Sequence, residues 1–135
     1  MPRIFGLKLS AVLAATVAFW MLGFVWYGIV FMDAWMAGHD LNPDDGGSFD
    51  IYMFGGILIT LAQVIGLGIM LRWRAVSGVG GAVKTAAMMW AFIALPIIMY
   101  AYIYLPDHNS TLLMIDGSHV LSGWVISAII LTILK

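Results

Sequence analysis

The sequence predicts an all-α membrane protein, a four-transmembrane-helix bundle with both termini in the cytoplasm and one domain over residues 1–135. Three observations predict it. Of 135 residues 63% are hydrophobic and the mean hydropathy is +1.02, whereas a soluble domain carries about 45–50% apolar residues. Four apolar runs, about 9–32, 51–71, 85–105 and 111–134, each reach the roughly 20 residues that cross roughly 30 Å of hydrocarbon. Arg3, Lys8, Arg72, Arg74, Lys84 and Lys135 fall on one side of those spans, and the seven Asp fall on or near the other. By the positive-inside rule the basic side, which carries both termini, is cytoplasmic.

The charged residues also exclude things. There is no Glu, and helices that lack Glu and Lys have almost no solvated face. A net charge of -1 without a basic cluster gives no reason to expect nucleic acid. The absence of cysteine excludes disulfides, thiolate metal sites and cysteine nucleophiles.

Residues 1–8 form a short arm with Arg3 and Lys8. The first run then spans ~36 Å as a helix, too long for the ~7–15-residue core of a signal peptide, so it reads as a retained span. Ala11 and Ala15, and again Ala14 and Ala18, stand four apart and would let another helix approach closely. Trp20, Trp26, Tyr27 and Trp35 mark its outer half.

Asp33 to Asp50 is a polar loop with five of the seven Asp, and its Asn-Pro-Asp-Asp-Gly-Gly core is dense in turn residues. The second run carries Gly55, Gly56, Gly66 and Gly68, with Gln63 as its one strongly polar side chain. A basic, glycine-rich connection from Arg72 to Lys84 returns the chain to the membrane. Pro96 near the middle of the third run predicts a kink or local unwinding near Phe92, because proline removes a donor and clashes with the preceding turn. Tyr100, Tyr102 and Tyr104 follow, and Pro106 to Asn109 links tightly into the last run.

Two stretches carry a family resemblance: Trp26-Tyr27-Gly28-Ile29-Val30-Phe31-Met32-Asp33-Ala34-Trp35-Met36, and Met114-Ile115-Asp116-Gly117-Ser118-His119-Val120-Leu121. With the four-run hydropathy and the acidic first loop, the chain resembles the bacterial membrane family catalogued as domain of unknown function 1761. That family's pattern has Trp-Tyr, a Phe, Ala-Trp-Met and, in the last helix, an Asn-Ala-Gly-Tyr-His-like run. This sequence departs from it by lacking a proline after Trp-Tyr, by having Asp33 before Ala-Trp-Met, and by having Asp116 at the place of the Asn. The resemblance implies the architecture and no activity.

The last run holds Asp116 and His119, which share a helical face with Gly123 and Ser127. Counting inward from the outer ends puts Tyr27, Tyr100 and Asp116 about five residues, or ~7–8 Å, deep, with Gly55 and Gly56 at a similar level. The expectation is a polar intramembrane layer of Asp116, His119, Tyr100 and Tyr27, in which a tyrosine hydroxyl donates to Asp116. Gly123, Ser127, Gly55 and Gly56 are the expected helix-packing positions.

The plainest reading of this layer is polar glue between helices. A second reading makes it the site of a small ion or solute transporter, since intramembrane ionisable groups are functional by default. Both groups are shallow, however, and no titratable partner continues inward. A third reading places a metal or a haem-like macrocycle at His119, with His39 and His108 on the same side. There is no regular histidine spacing and no His-Glu-x-x-His to support it. Catalysis is weaker still, because Ser122 points ~120° away from Asp116 on a helix and no nucleophile elbow is present.

The sequence therefore points to a bacterial inner-membrane protein that is not an enzyme and requires no cofactor. Its expected partners are the bilayer and either copies of itself or other membrane subunits, the latter making it an accessory or assembly subunit of a larger complex. Ala11/Ala15, Gly66 and Gly123/Ser127 are more small-residue stripes than one four-helix core requires.

Overall fold

The first residues close a hairpin. β1 (Arg3–Ile4) pairs antiparallel with β2 (Leu7–Lys8) in the computed structural model, which describes residues 2–42 and 51–135. The turn residues Phe5 and Gly6 both have positive φ, 50° and 79°, as the hairpin turns that match strand twist require.

Helix α1 (Leu9–Val25) passes into a π-helical turn, Trp26–Val30, in which the Phe31 N–H donates to the Trp26 carbonyl across 2.9 Å. Gly28 and the β-branched Ile29 and Val30 hold regular α-geometry weakly there. Phe31 then leaves helical geometry, with φ -113° and ψ 17°, and a short helix α2 (Met32–Gly38) follows. The sequence placed 33–38 in a loop. Its residues are instead helix formers with Asp33 in the first turn, where a carboxylate favours a helix start. The expected Pro43-Asp44-Asp45-Gly46-Gly47 turn lies outside the described residues.

Helix α3 (Ile51–Trp73) is followed by α4 (Val79–Met89), a second π-helical turn at Trp90–Ala94, α5 (Leu95–Tyr104) and α6 (Ser110–Ile133). The second π-turn contains Phe92, and Pro96 lies just beyond it, so the proline's missing donor loosens the turn before it. The third span starts at Val79, not near 85, since Gly80 and Gly81 fold into the first turn of α4. Asn109 caps α6, its side-chain oxygen accepting from the Leu112 N–H at 3.0 Å.

Four helical stretches, Leu9–Val30, Ile51–Trp73, Val79–Tyr104 and Ser110–Ile133, are long and apolar enough to cross a membrane. Helix α6 is the element on which the others pack, touching α1, α2, α3, α4 and α5. The core between them contains Val12, Ala15, Phe19, Val64, Leu67, Ala82, Ala86 and Ala128. Small residues dominate because close backbone approach and dispersion hold helices together where lipid is as apolar as the side chains. Buried Thr16, Thr60 and Thr85 each donate to the carbonyl four residues back at 2.8 Å, so their hydroxyls cost little.

At one end of the bundle Leu7 lies against Gly68, Arg72 Nη1 donates to the Phe5 carbonyl at 3.1 Å, and Lys135 Nζ donates to the Val76 carbonyl at 3.2 Å. The N-terminal hairpin, the α3–α4 connection and the end of α6 therefore meet there. At the other end α2 rests on the start of α6, where a side chain at Gly38 would run into Leu112.

Candidate functional site

The face of α6 that carries Asp116, His119, Gly123 and Ser127 looks at α1. Tyr27, in the first π-turn, donates its hydroxyl to Asp116 Oδ1 at 2.5 Å, a length typical of a hydroxyl on a carboxylate. His119 lies one turn further in, edge-on to the Tyr27 ring at 4.9 Å and tilted against Phe19 at 5.4 Å. Gly23 makes room for it, because a Cβ there would stand 3.1 Å from His119 Nε2. Gly123 lies under the Phe19 ring, in space that a Cβ would fill. Ser127 is fully buried beyond it.

Two atoms on this face, His119 Nε2 and Ser127 Oγ, are buried without a hydrogen-bond partner among the described residues. A chain of rings leads outward from His119 through Tyr27 to Trp35, 5.9 Å from Tyr27, and to His39, 4.5 Å from Trp35. A cavity of about 140 Å³ reaches Asp116 from the α2 end of the bundle, lined also by His39, Tyr102, Asp107, Asn109 and Gly38.

Tyr100 does not join the layer. It is 62% exposed and stacks on Tyr104, with ring centroids 6.0 Å apart. Tyr102, two residues on and so ~200° round the helix from Tyr100, lines the cavity that also reaches Asp116. Gly55 and Gly56 do not pack against another described helix either, for among the described residues a Cβ at each would meet nothing within 4 Å. Ala11, Ala15, Gly123 and Ser127 are consumed inside the chain, which leaves Gly66 as the uncovered small residue among the expected stripes.

Two indole donors hold the layer and a third ties α3 to α6 further along, and residue counting missed them. Trp26 Nε1 donates to the Ile115 carbonyl at 3.1 Å and Trp90 Nε1 to the Gly117 carbonyl at 2.8 Å, so two indoles clasp α6 on either side of Asp116. Each is the first residue of a π-helical turn. Trp124 Nε1 donates to Gln63 Oε1 at 2.8 Å, which accounts for the one strongly polar side chain of the second span. The available signal was that a tryptophan at membrane depth needs an acceptor for its N–H.

Chemically, the arrangement offers one carboxylate, one imidazole and a hydroxyl. Among the described residues no three His, Asp, Glu or Cys side chains come together as a metal site.

Four apolar spans, with the ionisable residues of the last turned toward the first, define a small polytopic helical membrane protein. Residues 10–132 match the model of the family described as protein of unknown function (DUF1761), and the chain belongs to that family. No curated protein and no solved structure matches it.

Proposed function

We propose that this protein has no catalysis of its own and acts by association in a bacterial inner membrane, as a homo-oligomer or as an accessory or assembly subunit. Both termini are cytoplasmic in this reading, on the strength of the charge bias.

The observation that carries the proposal is a stripe on α3. Gly55, Ile59, Ala62 and Gly66 fall within about 60° of one another around the helix at 100° per residue. Ile59, Ala62 and Gly66 are exposed, and among the described residues a Cβ at Gly55 or Gly66 would meet nothing within 4 Å. A face meant for lipid is usually built of large apolar side chains, whereas small residues four apart, such as Ala62 and Gly66, suit the close approach of another helix. The third span adds further unoccupied surface: only 11% of its apolar window is buried, against 28% in each of the other three.

The chain has no cysteine, so single-cysteine cross-linking in native membranes is a clean test. Ala62→Cys should cross-link to a second copy or to one fixed partner. Ile97→Cys, exposed on the third span, is the comparison. Equal or absent cross-linking at the two positions would remove the α3 face as the contact.

A second reading rests on the cavity that reaches Asp116. In it, Tyr27, Asp116 and His119 form the outer site of a small ion or solute transporter. Loss of flux in Asp116→Asn, with the assembly intact, is the result that would favour it.

A further inference from the structure

At the basic end of the bundle lies a cavity of about 460 Å³, lined by Arg3, Arg72 and Lys135 together with Leu7, Leu71 and Leu131. Among the described residues no Asp or Glu side chain lines it. Each cation spends one hydrogen bond on a backbone carbonyl: Arg3 Nη1 on Gly6 at 2.8 Å, Arg72 Nη1 on Phe5 at 3.1 Å and Lys135 Nζ on Val76 at 3.2 Å. Among the described residues most of their N–H groups remain unspent.

The hairpin turn brings the two guanidinium groups together. Arg3 donates to the Gly6 carbonyl, while the Arg72 guanidinium occupies the space that a Gly6 Cβ would take. Gly6, at φ 79°, is therefore required twice, by the turn and by the close passage of Arg72. Like charges held side by side repel unless something of opposite sign lies between them. The described Asp residues nearest in sequence, Asp33 and Asp40, belong to α2 and its end, on the far side of the bundle.

We propose that this cavity binds a phosphate-bearing anion, the headgroup of an anionic phospholipid in the leaflet at the basic end. Guanidinium groups pair with phosphate oxygens bidentately, and Lys135 supplies a third positive charge. The volume lies within the few hundred Å³ usual for a small-ligand site. Leu7, Leu71 and Leu131 give the cavity an apolar wall, against which the glycerol and the first acyl carbons lie while the phosphate faces the cations. Trp73, 78% exposed beside Arg72, sits where interfacial tryptophans meet headgroups. The inference is independent of association through α3.

The test compares the purified full chain in mild detergent with added dioleoylphosphatidylglycerol, dioleoylphosphatidylcholine or inorganic phosphate, reading thermal midpoint and lipid retained by native mass spectrometry. Lys135→Gln and Arg72→Gln remove lining charges; Lys84→Gln removes an exposed charge at the same end that does not line the cavity. Lys135 is exposed, so its variant keeps the test usable if Arg72→Gln does not fold. The proposal expects phosphatidylglycerol to raise the midpoint and to stay bound, phosphatidylcholine to do neither, and both effects to fall in the two lining variants while surviving in Lys84→Gln. Equal stabilisation by inorganic phosphate, lost in the same variants, would keep the phosphate site and overturn the lipid as its occupant. Indifference to headgroup, or an unchanged response in the lining variants, would overturn the site itself.

Discussion

Tyr27 and Asp116, 89 residues apart in the chain, share a 2.5 Å hydrogen bond that ties the first span to the last. It forms at the first π-helical turn, and the two indole clasps from Trp26 and Trp90 grip α6 immediately beside it. The helix that organises the bundle is thus pinned at one level by three donors.

Removing the Tyr27 hydroxyl tests that pin. Tyr27→Phe should lower stability in detergent by about 1 kcal/mol, the usual worth of such a bond between membrane helices. Asp116→Asn keeps an acceptor oxygen and should cost less. A double-mutant cycle with Asp116→Ala should show coupling of ~0.5–1.5 kcal/mol between the two positions. Additive losses in chemical denaturation would mean that the bond contributes nothing.

Gly123 and Phe19 should be coupled with the opposite sign. A Cβ at Gly123 enters the Phe19 ring, so Gly123→Ala should destabilise by ~1–3 kcal/mol through overpacking. Adding Phe19→Ala removes the clash, and the double variant should recover part of the loss expected from adding the two single effects. Strict additivity of thermal midpoints would show that the two helices do not meet at this point.

The Trp124–Gln63 bond should show the asymmetry of buried polar pairs. Gln63→Leu alone leaves the indole N–H without its 2.8 Å acceptor and should cost about 1–3 kcal/mol. Gln63→Leu with Trp124→Phe removes both partners and should be milder than the single change. A double variant worse than Gln63→Leu, measured by the same denaturation, would contradict the assignment.

How much was legible in the sequence follows from what each feature depends on. The spans were legible because length and apolarity alone decide whether a helix can cross hydrocarbon, and the break near Phe92 was legible because proline acts on its own backbone. The pairing of a tyrosine with Asp116 followed from depth, which counts residues along an axis. Which tyrosine turns inward depends on azimuth and on a neighbouring helix, and Tyr100 turns outward, 62% exposed. The glycines of α3 show the same limit. Gly55 and Gly56 read as internal packing positions, but a small residue permits close approach without saying whether the approaching helix belongs to the same chain. Helix α2 was missed because Asp33 read as the start of a loop, when a carboxylate in a first turn equally well starts a helix.

The central claim, association through the open stripe of α3, is tested most directly by the mass of the particle obtained on gentle extraction from the native membrane, for the natural chain and for Gly66→Leu. No described atom lies within 4 Å of a Cβ at Gly66, so the substitution starts into open space. The account predicts a natural particle larger than the 14.8 kDa chain, either a small multiple of it or a complex with a fixed partner, and a shift toward the single chain in Gly66→Leu. A single natural chain, or an assembly of unchanged mass in Gly66→Leu, would contradict it.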